Sequence, residues 1–108
     1  LRGGVRFLFS VSSFLEAIVT MFPRDAGGRI GIVEPREGSY RPFLRAEDGS
    51  LLRVRFIEGP PSVAPGETAR VVAEVESLPP DHIPTGSELD LLETDAATVG
   101  FITVARVW

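Results

Sequence analysis

Cysteine, lysine, asparagine and glutamine are absent from this chain of 108 residues, and histidine, methionine, tryptophan and tyrosine occur once each. Without cysteine there is neither a disulfide framework nor a thiolate metal site, which suits a reducing compartment such as the cytoplasm. Without lysine there is no Gly-x-x-x-x-Gly-Lys-Ser/Thr phosphate loop, so GTP is not expected to bind by that route. All 11 basic residues are arginine, set against 15 acids for a net charge of -4. The strongly basic footprint of an autonomous nucleic-acid binder is missing. The exclusive use of arginine reads as the codon bias of a GC-rich genome. Long uninterrupted apolar runs are also lacking. Residues 5–22 come nearest, but Arg6, Glu16 and four serine or threonine residues break them. They fall short of the roughly 20 apolar residues a spanning helix needs. Glu16 sits mid-run and no small-residue cleavage site comes after it, which disfavours a signal peptide. No membrane partner is expected.

The chain is rich instead in period-two alternation, the signature of half-buried strands. Val5, Phe7, Phe9 and Val11 alternate with Arg6, Leu8, Ser10 and Ser12. Leu52, Val54 and Phe56 alternate with Arg53 and Arg55, and Ala69, Val71, Ala73 and Val75 face away from Arg70, Val72, Glu74 and Glu76. Near the end, Val99, Phe101, Thr103, Ala105 and Val107 share one expected face, with Ile102, Val104 and Trp108 on the other. Asp48-Gly49 marks a hairpin, because both residues tolerate positive φ. Pro65-Gly66 marks a turn, and the prolines at 79, 80 and 84 exclude a central strand there. Six or seven short strands in one domain of this length imply an all-β barrel or small sandwich. The expected core comprises Phe14, Ile18, Val54, Phe56, Val71, Val75, Val99 and Phe101.

Few residues invite a chemical reading. His82, beside Asp81, lacks the oriented carboxylate and nucleophile that a general base needs, and no motif supports a triad through Ser77 or Ser87. Glu88, Asp90, Glu93 and Asp95 lack calcium-loop spacing and read as a solvated outer face. No catalytic residue, metal ligand or cofactor site is expected. Arg29, Arg36, Tyr40 and Arg41 are the candidate contact residues. Arginine forks beside a flexible Gly27-Gly28 backbone and an aromatic suit phosphate. The competing reading is that Arg29 and Arg41 pair with Glu34, Glu37 or Glu47 and only hold a loop.

Taken in order, Phe14-Leu15-Glu16-Ala17-Ile18-Val19, Gly27-Gly28-Arg29, Ser39-Tyr40-Arg41-Pro42 and the closing run from Thr98 to Val107 resemble the C-terminal β-barrel, domain 3, of elongation factor Tu. The resemblance covers residues 14–108. It leaves residues 1–13 as an N-terminal extension, read as an extra edge strand. It implies a single antiparallel Greek-key barrel of about six strands in a bacterial, cytoplasmic, non-enzymatic translation-factor-like module. In that family, loops of the barrel touch the T-stem backbone of aminoacyl-tRNA and other faces meet proteins. Arg29, Tyr40 and Arg41 fall on the matching positions. Phe43 replaces the family's glutamine, the loop between Arg29 and Tyr40 is longer and carries Glu34 and Glu37, and Thr94-Asp95-Ala96-Ala97 lacks the basic residue found at that turn. These departures thin a tRNA surface. A protein of the translation machinery is therefore the preferred partner, with weak binding to tRNA backbone as the alternative.

Overall fold

A computed structural model of the chain describes residues 13–76, 83–94 and 96–108. The alternating run at 5–11, Ser77, Asp81, His82 and Asp95 lie outside them. Among the described residues six strands are formed: β1 (Ser13–Met21), β2 (Phe43–Arg45), β3 (Leu51–Glu58), β4 (Thr68–Val75), β5 (Glu88–Thr94) and β6 (Ala97–Val107). They close into a barrel in the order β1-β4-β3-β2-β5-β6, with every pairing antiparallel. β2, β3 and β4 are successive neighbours, and β5 returns to lie beside β2, which is Greek-key connectivity.

The turn chemistry explains the hairpins. At Asp48-Gly49, Gly49 adopts φ 88°, and Asp48 Oδ1 accepts the Ser50 main-chain N–H at 2.9 Å. That side chain ties down the bend between β2 and β3. At the seam of the barrel Phe14 and Trp108 exchange main-chain hydrogen bonds of 2.8 and 2.9 Å, and their rings stack with centroids 5.9 Å apart.

The interior is filled by Leu15, Ala17, Val19 and Met21 of β1, Val54 and Phe56 of β3, Val71, Ala73 and Val75 of β4, Leu89 and Leu91 of β5, and Val99, Ile102 and Val104 of β6. Full burial of a large apolar side chain of this kind stabilises by about 1.5–3 kcal/mol. Three expected core residues lie elsewhere. Ile18 is exposed, and Phe14 and Phe101 are only half-buried. β1 carries apolar residues in both phases, and the phase of Glu16 and Thr20 is the one that faces out, taking Phe14 and Ile18 with it. In β6 the alternation is broken twice. Leu91 pairs with Gly100 and Leu92 with Thr98, so Val99 is an extra residue; Glu16 pairs with Arg106 and Ala17 with Val104, so Ala105 is another. Each β-bulge reverses the phase of the residues beyond it. Val99, Ile102 and Val104 therefore point inward, while Phe101 turns out to meet Phe22 at 6.4 Å.

Candidate functional site

The candidate contact residues belong to the loop from β1 to β2 and its exit. After Met21 the chain makes a 3-10 turn at Arg24–Ala26, and the Gly28 N–H returns to Pro23 O at 2.9 Å. A Cβ at Gly28 would collide with Phe22 O, so only glycine permits this return. The tight bend aims Arg29 back across the loop. Its Nη1 donates to Ile32 O at 2.6 Å, its Nε lies 2.7 Å from Glu93 Oε2, and its guanidinium sits 5.2 Å from the Tyr40 ring centroid. The Nε–H is not aimed at Glu93, so this contact is an ion pair and not a hydrogen bond.

Tyr40 completes the arrangement. Its hydroxyl donates to the same Glu93 oxygen at 2.7 Å, and its ring meets Phe56 edge-on at 5.1 Å. The main chain is held as well, since Tyr40 O accepts the Phe56 N–H and Pro42 O the Val54 N–H, both at 3.0 Å. Burial first, and then the hydrogen bond and charge of Glu93, push the phenol well above the usual tyrosine range. Tyr40 is thus a neutral donor. One carboxylate holds both an arginine and a tyrosine, with Arg29 and Glu93 about a quarter exposed (26% and 28%).

The four candidate residues do not converge. Arg29 and Tyr40 meet, whereas Arg41 turns to Glu76, with Nη2–Oε1 at 2.9 Å, and Arg36 Nε donates to Gly59 O at 2.7 Å. The pairing expected with Glu34, Glu37 or Glu47 is made instead with Glu93 and Glu76, residues distant in sequence. Arg41 belongs to an outer row in which Arg53 donates to Arg41 O at 2.7 Å and Arg55 bridges Glu74 and Glu76. Arg45 pairs with Asp90 at 3.3 Å, and Arg70 and Arg106 share Glu16. Among the described residues Arg24 alone of the arginines has no partner.

Glu88 and Asp90 are exposed on β5, and Ser87 Oγ donates to Pro84 O at 2.6 Å. Among the described residues no group of histidine, cysteine, aspartate and glutamate side chains is arranged to hold a metal ion. No described helix is long and apolar enough to cross a membrane.

Sequence reasoning does not reach two features of this region. Ile30 is 80% exposed and Ile32 51% exposed, on either side of Gly31 at the tip of the loop that Arg29 braces. Two large apolar residues inside a loop are a visible signal. Glu93, the hub of the cluster, is grouped by its spacing with the acidic face. No protein-family model matches the chain, and no curated protein sequence matches it. The closed six-stranded antiparallel barrel is compatible with a small barrel domain.

Proposed function

We propose that this chain is a non-enzymatic recognition barrel of the elongation factor Tu domain 3 type, which docks onto a protein of the translation machinery in the bacterial cytoplasm. The observation that carries this reading is the pair Ile30 and Ile32, exposed on a loop fixed at its base by Arg29, Glu93 and Tyr40. Exposed apolar side chains on a braced loop lose little entropy when covered and gain by leaving water, as interface anchors do. The engagement of Arg29 and Arg41 by carboxylates weighs against phosphate as the ligand, since phosphate would have to displace Glu93 or Glu76.

The test offers the purified chain ribosomal subunits and a purified translational GTPase, with total tRNA in parallel. Binding to one of the protein-containing targets is expected, and an Ile30→Ser, Ile32→Ser double variant should abolish it without changing the thermal melt. Retention on tRNA should stay at background. A tRNA affinity that falls steeply with salt and vanishes in Arg41→Glu would replace this reading with backbone recognition.

A further inference from the structure

β4 is paired unequally on its two sides. Towards β1 its ladder runs unbroken from Val75 to Thr68, but towards β3 it stops at Val72. Among the described residues, 68–71 therefore have a strand neighbour on one side only. The cause is covalent. β3 takes an extra residue at Ile57 and then runs into Gly59-Pro60-Pro61, and proline has no N–H to give a ladder. The chain beyond is drawn aside, with Val63 bridged to Val33 and Gly59 O held by Arg36.

The hydrogen-bond phase shows which groups this leaves open. Met21 N–H donates to Glu67 O at 3.0 Å, and Glu76 N–H donates to Arg53 O at 2.9 Å. Main-chain groups alternate sides along a strand, so odd-numbered residues of β4 serve β1 and even-numbered ones face β3. Thr68 and Arg70 thus turn their N–H and C=O groups to the side where β3 is missing. Two adjoining hollows occupy that side, of about 540 and 520 Å3, and both are lined by Pro60 and Arg70.

The geometry points to a strand-addition site: an extended peptide segment of a partner protein, apolar at alternate positions and carrying one carboxylate, pairs with Thr68 and Arg70 and completes the barrel wall. A strand has the required shape and supplies the alternating donors and acceptors. Ile57 and Val72 line the hollow and receive its apolar side chain. Arg36 stands at the lip with only its Nε engaged and no carboxylate paired to it among the described residues, and it receives the acid. Glu58 on the same lip limits the segment to a single acid. A second copy of the chain is a poor fit, because four residues of edge bury far less than the roughly 1,200 Å2 of a stable interface. This inference rests on the recognition reading but uses a different surface from the Ile30–Ile32 loop.

The test selects random octapeptides displayed on phage against the immobilised chain, then measures hydrogen exchange of the chain with the best peptide made synthetically. Peptides with alternating apolar residues and one acid should be enriched, and their binding should slow exchange of the Thr68 and Arg70 amides. Arg36→Glu should weaken binding about tenfold, the effect of one charge-assisted contact. Arg70→Pro removes the open-side N–H and leaves the β1 ladder its donors, so it should abolish binding. If Arg70→Pro fails to fold, exchange on the unsubstituted chain still decides. No enrichment, or protection of other amides, would overturn the proposal, as would a dimer in sedimentation that protects Thr68 and Arg70 without peptide. Peptide affinity that survives Ile30→Ser, Ile32→Ser separates this site from loop docking, so either can fail alone.

Discussion

The base of the β1–β2 loop and the β3–β4 corner use similar parts, an arginine, a carboxylate and a glycine-bearing bend in each, yet they differ in what they leave open. At the loop base Glu93 accepts the Tyr40 hydroxyl and ion-pairs with Arg29, and the Tyr40 ring packs edge-on against Phe56. At the corner Arg36 grips a carbonyl, Glu58 is exposed, and the main chain of Thr68 and Arg70 lacks a strand partner on one side among the described residues. A closed set of side-chain contacts positions other things; an unclosed ladder has capacity left for a ligand. The loop base therefore reads as a brace for Ile30 and Ile32, and the corner as a receptor. Substitutions at the first should cost stability, and substitutions at the second should cost binding.

The largest effect should come from Phe56→Ala. Phe56 is buried in the barrel and also supports the Tyr40 ring, so a loss of about 3–5 kcal/mol is expected in denaturant unfolding. Phe101→Ala, outside the wall, should cost about 1 kcal/mol. Equal losses would mean that the β6 bulges do not set the facing of Phe101.

Gly28→Ala should come next, at about 1–3 kcal/mol, because the added Cβ meets the carbonyl of Phe22 and the backbone must yield. It should also loosen the loop tip and weaken any binding that depends on Ile30. A neutral result would show that the return of the loop is not what aims Arg29.

These positions show how much the sequence discloses. The all-β class, the Asp48-Gly49 hairpin and the inward faces of β3 and β4 are legible from alternation and turn residues, because both are local properties. The face of β6 is not, since a bulge is a choice of register made jointly with β1 and β5. In β1 the information is present: Glu16 and Thr20 share a phase with Phe14 and Ile18, and an acid outweighs an apolar neighbour in choosing water. For the site, Arg29 and Tyr40 can be picked out as a pair of residue types. Their common partner cannot, because Glu93 lies 53 positions beyond Tyr40 and arrives only when β5 pairs with β2. The open edge, by contrast, is announced by Gly59-Pro60-Pro61 once β4 is known to extend past it.

Tyr40→Phe tests the brace at smaller cost, about 1.5 kcal/mol for a hydrogen bond to a charged group. As the single tyrosine of the chain, Tyr40 also reports on itself through tyrosinate absorbance. Its folded-state ionisation is shifted upward, so the unfolded chain releases the proton first, near pH 10. Stability from this group is complete below that pH and declines as pH rises beyond it. Tyrosinate should therefore appear together with alkaline unfolding. Ionisation near pH 10 with the fold intact would show that the hydroxyl is not held by Glu93.

The smallest effect on stability should be that of Arg36→Ala, and it bears on the contrast most directly. Arg36 is exposed and its one hydrogen bond runs to Gly59 O, so its removal should cost less than about 1 kcal/mol. The corner is also shaped by Pro60 and Pro61 and by the Val33–Val63 bridge, none of which needs this guanidinium. The thermal melt should thus move less than it does in Tyr40→Phe, while affinity for a selected acidic peptide drops. If instead Arg36→Ala destabilises as much as Tyr40→Phe and leaves peptide affinity unchanged, the corner is a second brace. The open ladder would then be water-filled backbone and not a receptor, and the division between the two regions would fail.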